Sequence, residues 1–330
     1  MAAESRNQVS SVSPKDTVVG MIGVGDMGFG IATAIVRIFP MMAYDVRPEP
    51  VEKLVAMGAR RAASVEQVAD ACDIAVIVVA NDEQVTSVVG KLLSRPGKLH
   101  TIIVSSTILP RTMTDLEGAA GKAGIDLIDA PVTGGTEKAE RGLLTLLIGG
   151  ETEPVERCRP LLEIYGKTLF HMGPLGAGSA GKLVNNLLSV AGYALILEGM
   201  QLAAAYGISE ERVTEVAAVG SSDSRVLRHW GRLDRIRRNH PQTGTPTHYE
   251  HFTKDVKIAA LAGAHRGLVL PIAGSIGAMM PDKLKARDKL LDARGETAPI
   301  PLCKICGGDL AFPFRKAGLH PECSEHPDSE

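Results

Sequence analysis

"TVVGMIGVGDMG" (residues 17–28) decides how the N-terminal half of the chain folds. Its first seven residues form a short apolar run of β type. Gly23-Val24-Gly25-Asp26-Met27-Gly28 then follows as G-x-G-x-x-G. Such a glycine pattern alone is weak evidence, because glycine-rich turns are common. Here it leaves a strand and opens a helix inside a strand–helix–strand unit, the context a dinucleotide-binding turn requires. Gly23 permits the tight turn, Gly25 lets the backbone approach a pyrophosphate, and Gly28 allows close packing of helix on strand. The helix N-terminus then offers amides and its dipole to the phosphates. The second run ends in Asp45, 22 residues after Gly23. A carboxylate there accepts from the adenosine ribose 2′-OH and repels a 2′-phosphate, which favours NAD over NADP. Arg47 is the competing feature, since a guanidinium can turn onto a phosphate.

Outward from this turn, the pattern repeats. The runs "MMAYD" (41–45), "IAVIVVA" (74–80), "TIIVSS" (101–106) and "DLIDAPV" (126–132) are continuously apolar, with helical patterns between them. Unbroken apolar runs are expected of strands buried on both faces of a parallel sheet. The alternation predicts a doubly wound α/β domain with right-handed crossovers. "GLLTLLIGG" (142–150), the helix "EPVERCRPLLEIYG" and "KTLFHMG" (167–173) extend it.

Beyond Gly178 the texture becomes all-α. "SAGKLVNNLLSVAGYALILEGMQLAAAY" (179–206) is apolar nearly all round and reads as a buried central helix. Further helices are predicted near 209–219, 224–238, 253–264 and 271–279. The expected organisation is a disordered tail (1–16), an NAD-binding Rossmann domain (17–175) and an all-α substrate and oligomerisation domain (176–295). A Cys/His tail (296–330) follows.

The chain has 330 residues, 45% hydrophobic and 22% charged, with a formal net charge of −2. That balance is ordinary for a globular protein of two domains. It makes no global electrostatic case for nucleic acid or an anionic membrane. No stretch approaches 18 uninterrupted apolar residues, so no transmembrane helix is expected. The N-terminus lacks the apolar core of a secretory signal, and a cytoplasmic location is expected. Cys72 and Cys158 fall in helix-like segments and read as buried, reduced thiols.

One residue resists the local rules. In "GAGSAGKLVNN" (176–186) Ser179 reads as an N-cap, which makes Lys182 the third helical residue. The positive end of a helix dipole disfavours an ammonium there. A surface lysine snorkelling to water is the plainer reading. The apolar helix around it and Asn186, one turn on the same face, argue for a function.

Four motifs in order, "GVGDMG" (23–28), "DAPVTGG" (129–135), "GPLGAGSAGKLVNN" (173–186) and "TKD" (253–255), resemble the β-hydroxyacid dehydrogenase family. That family includes 3-hydroxyisobutyrate dehydrogenase and tartronate semialdehyde reductase, and the resemblance spans roughly residues 17–290. It implies a catalytic Lys182, with Asn186 bonded to the substrate hydroxyl. It implies that Thr133, Gly134 and Gly135 bind the substrate carboxylate, largely through backbone amides. It places Thr107 and Lys254 near the nicotinamide end of the cofactor, and Val79, Ala80 and Gln84 on a loop that touches NAD. A helix N-terminus, burial and a nearby cofactor cation each lower a lysine pKa. A lysine so tuned takes a hydroxyl proton as hydride leaves. The expected partner is a small anionic hydroxy acid, and a homodimer or homotetramer is expected. Without the resemblance, Thr133 reads as a plain turn residue and Lys254–Asp255 as a surface ion pair. The competing functions are an imine reductase, which usually lacks the lysine, and a non-catalytic dinucleotide-binding interaction protein.

Two segments depart from the family. "RVLRHWGRLDRIRRNH" (225–240) sets Arg225, Arg228, Arg232 and Arg235 beside an apolar face of Val226, Leu227, Trp230, Leu233 and Ile236. It reads as a solvated face or as a grip on a second anionic group of the substrate. In the tail, Cys303-x2-Cys306, thirteen residues, then His320-x2-Cys323 has the spacing of a structural Cys3His zinc site, with His326 as a spare ligand. The alternative is a disordered tail with incidental cysteines.

Overall fold

The computed structural model describes residues 11–234 and 248–294. They form two compact units, the first ending at Val184 and the second beginning at Asn185.

The first unit is built on nine described strands. They are β1 (Val19–Ile22), β2 (Met41–Tyr44), β3 (Arg60–Arg61), β4 (Ile74–Ile77), β5 (Thr101–Val104), β6 (Asp126–Asp129), β7 (Val132–Thr133), β8 (Leu144–Gly149) and β9 (Gly166–Gly173). The helices between them are α1 (Asp26–Val36), α2 (Pro48–Ala56), α3 (Val65–Ala71), α4 (Asp82–Ser94), α5 (Pro110–Lys122), α6 (Thr136–Glu140) and α7 (Thr152–Tyr165). The sheet order is β3-β2-β1-β4-β5-β6-β8-β7, with β9 on β8. Strands β1 to β6 pair in parallel, as expected of a Rossmann sheet. The extension joins the sheet as expected, and its far edge is mixed: β8 runs antiparallel to β6 and β7, and β9 runs parallel to β8. The single predicted run at 126–132 is in fact two strands, separated at Ala130-Pro131.

The unbroken apolar strands have the cause foreseen for them. Ile74, Val76 and Ile103 enter a core shared with Ile31 and Ile35 of α1, Leu54 of α2 and Leu161 of α7. Their neighbours Ala75, Ile77, Ile102 and Val104 enter a second core with Val68 of α3, Val89 of α4 and Met113 of α5. Both faces are covered, so neither set of side chains meets water. The strand order reverses between β1 and β4, and ligands of such sheets bind beyond the strand ends at that reversal.

The described end of the segment expected as a tail touches the sheet unit. Val12 is buried and its N–H donates to the Arg157 carbonyl at 3.1 Å. Val12 therefore anchors this segment on the sheet unit, residues 14–16 are exposed, and 1–10 lie outside the described residues. Cys72 and Cys158 are free and buried, and burial pushes each thiol up to about 12.

The described second unit is helical. Helix α8 (Ala177–Ala205) enters it from the first unit, followed by α9 (Glu210–Val219), α10 (Arg225–Arg228), α11 (His248–His265) and α12 (Pro271–Ala293). Its core gathers Val190, Tyr193, Leu197 and Met200 of α8 with Leu227, Trp230, Val256, Met280 and Leu284. Three expectations are corrected here. Helix α8 is buried on one face only, and Val184, Leu188, Leu195 and Leu202 stand exposed along the other. The helix foreseen at 224–238 is interrupted: α10 ends at Arg228, Gly231 takes φ +89°, helical backbone resumes at 232–234, and 235–238 lie outside the described residues. Helix α12 runs well past residue 279, to Ala293. By length and composition α8 also satisfies the criterion for a membrane span, a property shared with core helices of soluble proteins.

A buried ionic cluster ties the helices of this unit together. Arg287 donates to Glu210 from Nη1 at 2.5 Å and to Asp234 from Nε at 3.0 Å, and it lies 5.0 Å from the Trp230 ring centroid. Trp230 Nε1 also donates to Glu210, and Tyr193 Oη to Asp234. Burial alone would raise the Glu210 carboxyl, but Arg287, Trp230 and Arg294 outweigh it and hold it below its ordinary value.

Candidate active site

The turn after β1 is forced onto the sheet by its glycines. Gly23 has φ +87°, and a Cβ there would strike the Val78 carbonyl at the end of β4. A Cβ on Gly28 would strike the Gly23 carbonyl. The N-terminus of α1 is thus drawn up to the point where the strand order reverses. The result is a glycine turn at which backbone N–H groups can face an anion. Asp26 and Met27 open the helix above it.

Asp45, just past β2, is committed to this turn. Its Oδ2 accepts the Val24 N–H at 2.7 Å and its Oδ1 accepts the Arg47 N–H at 2.9 Å. Arg47 Nε lies 3.5 Å from the same carboxylate. A Cβ built on Gly25 would sit 3.5 Å from Arg47 Nη2, so the guanidinium lies beside the glycine turn. The Arg47 guanidinium therefore lies beside the Asp45 carboxylate.

The loops after β4 and β5 are tied to each other. Val79 N–H donates to Ser106 Oγ at 2.8 Å, immediately before Thr107. Ala80 N–H donates to Gln84 Oε1 at 2.9 Å, while the Gln84 N–H donates to Asn81 Oδ1 at 2.9 Å. Gln84 is thus part of the cap of α4. Val79 and Ala80 follow β4, the neighbour of β1, Thr107 follows β5, and Gln84 stands in the first turn of α4.

Thr133 pairs with Thr145 across β7 and β8. Gly134 and Gly135 follow at φ +142° and +88°, and a Cβ on Gly135 would meet nothing within 4 Å. Successive amides of such a turn, open to the outside, suit a carboxylate.

The start of α8 corrects one reading. Ser179 is not the N-cap, because the helix already begins at Ala177, and Lys182 is its sixth residue. The capping group comes from the sheet instead. Asp129, the last residue of β6, accepts the Gly176 N–H at Oδ1 (2.7 Å) and the Ser179 N–H at Oδ2 (2.6 Å). Burial pushes this carboxyl up, and the two main-chain N–H groups oppose the shift. A proton on either oxygen would face a donor, so the ionised form fits the geometry. Its charge offsets the positive end of the helix, and that relieves the conflict that Lys182 presented.

Asn186 lies four residues beyond Lys182, in the second unit, and helical spacing puts the two on one side of α8. Its Nδ2 donates to Asp255 Oδ2 at 2.7 Å, and Lys254 Nζ is 3.3 Å from Asp255 Oδ1. The Asp255 side chain is only 12% exposed, so this is not the surface ion pair that the bare dipeptide suggests. Asp129 and Asp255 are the residues that sequence reasoning passed over. Each is a carboxylate inside a quoted motif, and Asp129 closes an otherwise apolar strand.

The basic segment is less regular than its spacing implied. Arg228 is paired with Asp223 and Arg225 is exposed, while Arg235 and Ile236 lie outside the described residues. So do Cys303, Cys306, His320, Cys323 and His326. Among the described residues, no group of His, Cys, Asp and Glu is arranged to hold a metal ion.

Residues 18–173 match the NAD-binding domain of 6-phosphogluconate dehydrogenase. Residues 176–302 match the NAD-binding model of NADP-dependent 3-hydroxyisobutyrate dehydrogenase. The chain is 31% identical over 267 residues to 2-(hydroxymethyl)glutarate dehydrogenase of Eubacterium barkeri, covering 78% of this chain and 86% of that one. The chain belongs to the β-hydroxyacid dehydrogenase family. It is likewise 31% identical over 229 residues to the NAD-dependent L-serine dehydrogenase of Pseudomonas aeruginosa, covering 68% and 76% of the two chains. The structure of 3-hydroxyisobutyrate dehydrogenase from Salmonella typhimurium superposes with a TM-score of 0.67 at 25% identity, over 91% of this chain and 99% of that one. As a β-hydroxyacid dehydrogenase family member, the protein is an NAD(P)-dependent oxidoreductase acting on CH–OH groups.

Proposed function

We propose that the protein interconverts a small β-hydroxy acid, 3-hydroxyisobutyrate- or glycerate-like, and its semialdehyde or keto acid, with NAD preferred and Lys182 as general acid and base. The observation that carries this reading is the Lys182–Asn186 pair, one turn apart on α8, with the Asn186 amide aimed by Asp255. Bound dinucleotide supplies the hydride acceptor at its nicotinamide ring. Thr133, Gly134 and Gly135 hold the substrate carboxylate through backbone amides, and Asn186 bonds the hydroxyl oxygen. In oxidation the hydroxyl proton passes to Lys182 Nζ while the carbinol hydride leaves with its electron pair. In reduction the ammonium returns that proton to the carbonyl oxygen. Thr107 and Lys254 attend the nicotinamide end, and Val79, Ala80 and Gln84 the loop beside the cofactor. Asp45 faces the adenosine ribose, and its charge disfavours a 2′-phosphate.

The presence of Lys182 argues against the imine reductase reading. The plain binding-protein reading leaves Lys182 and the Asn186–Asp255 hydrogen bond without a purpose. The deciding experiment is Lys182→Ala, assayed by NADH absorbance against a panel of 3-hydroxy acids. It is expected to keep fold and NAD binding and to lose turnover by at least about 100-fold, the low end of general acid–base catalysis. Full activity in Lys182→Ala overturns the assignment.

Two further features extend this reading. The exposed stripe of Val184, Leu188, Leu195 and Leu202 on α8 supports association with a second copy of the chain. The Cys303, Cys306, His320 and Cys323 set lies beyond residue 302, where the family match ends, and supports a small structural zinc module appended to the enzyme.

A further inference from the structure

We propose that Asp129 is a positioning residue that sets where Lys182 stands, by clamping the first turn of α8 to the end of strand β6. The proposal rests on Lys182 being the proton-transfer group. Asp129 is fully buried, and both of its oxygens are spent on main-chain N–H groups of Gly176 and Ser179. Those N–H groups belong to the set that a helix start leaves without intrahelical partners. A cap taken from a neighbouring residue only ends a helix. This one comes from a strand 47 and 50 residues upstream, so it also fixes the helix entry with respect to the sheet.

The packing leaves the clamp little slack. A Cβ on Gly149, the last residue of β8, would strike Asp129 Oδ1 and would come within 2.7 Å of the Gly178 nitrogen and 2.9 Å of the Ala177 nitrogen. Gly178 in turn lies against the Leu147 and Asp129 carbonyls. Carboxylate, strand end and first helical turn therefore touch without an intervening side chain. Lys182 follows Ser179 by three residues, roughly 4.5 Å along the axis of a stiff helix. A tilt or rotation of the first turn is carried directly to its Nζ.

The test compares Asp129→Asn, Asp129→Ala and Gly149→Ala with Lys182→Ala, each assayed as kcat per NADH-binding site and as KM for NAD. Asp129→Asn keeps one acceptor oxygen and is expected to retain more turnover than Asp129→Ala, which keeps none. Asp129→Ala is expected to lose about 100-fold in kcat per site, the cost of a displacement near 1 Å, with KM for NAD within about threefold. Gly149→Ala keeps the carboxylate but displaces the turn, and it decides the matter if the Asp129 variants do not fold. A residue that served stability alone would lower the yield of NADH-binding sites and leave kcat per site unchanged. That result in Asp129→Ala or Gly149→Ala overturns the proposal. If Lys182→Ala loses turnover while these variants keep theirs, only this inference fails. If Lys182→Ala is fully active, the catalytic assignment fails first.

Discussion

Asn186 Nδ2 donates to Asp255 Oδ2 at 2.7 Å, joining two helices across 69 residues of sequence. The bond fixes which way the Asn186 amide points, and Lys254 lies against the other oxygen of the same carboxylate. Asp255→Ala is expected to lower kcat by about tenfold to 100-fold, in keeping with a lost hydrogen bond to a charged group. Its effect and that of Asn186→Ala are expected to be less than additive, because both remove one interaction. Steady-state kinetics on the two single variants and the double variant measure this. Full additivity would show that the two residues act separately.

Asp45, which anchors the Val24 N–H and restrains Arg47, is expected to govern cofactor choice. Asp45→Ser removes the repulsion toward a 2′-phosphate and releases the guanidinium. The NAD-to-NADP ratio of kcat/KM is expected to fall by about tenfold or more, the equivalent of roughly 1.4 kcal/mol. Arg47→Ala in the wild-type background is expected to move the ratio the other way. Equal ratios in all three proteins would rule out this pair as the determinant.

Acid should act on the helical unit through Glu210. Burial works against its charge, yet Arg287, Trp230 and Arg294 hold its folded-state carboxyl below the ordinary value. A lowered folded-state value contributes stability that is complete above the unfolded carboxyl range, about 4.3, and is lost as pH falls through the folded value. Tm is therefore expected to drop steeply below about pH 4.3 in the wild type. Glu210→Gln is expected to flatten that acid limb. Near pH 7 it should cost about 3 kcal/mol, because it leaves Arg287 half-paired. Calorimetry from pH 3 to 7 reads both effects.

The outer stripe of α8 predicts self-association. Leu188 and Leu195 are each 69% exposed in the single chain. Covering such side chains contributes about 1.5–3 kcal/mol each. The double change Leu188→Glu and Leu195→Glu is expected to convert a dimer or tetramer to monomer in sedimentation velocity. An unchanged sedimentation coefficient would place the interface elsewhere.

The C-terminal cysteines predict bound metal. Protein purified without chelator is expected to carry one zinc per chain, and Cys303→Ser with Cys323→Ser to carry none. NADH binding is expected to survive both changes, since the family match to this protein stops at residue 302. Zinc well below stoichiometry in the unaltered protein would mark the cysteines as incidental.

Much of this protein was determined by local sequence. The glycines of 23–28, the apolar strands and Asp45 are short-range signals, because a buried parallel strand and a dinucleotide turn each constrain consecutive residues. The order of the four motifs likewise identified the family. What the sequence left open depends on partners distant along the chain. Ser179 had every local mark of a cap, but the capping carboxylate is Asp129, 50 residues earlier. Lys182 looked exposed to a bare helix dipole until that buried anion was placed beside the helix start. Asp255 read as half of a surface ion pair until tertiary packing set it against Asn186. Nor does apolar composition tell a helix buried all round from one such as α8, with one face in a core and the other left exposed. Hydrophobicity is a property of the residue, whereas burial and charge compensation belong to the packed structure.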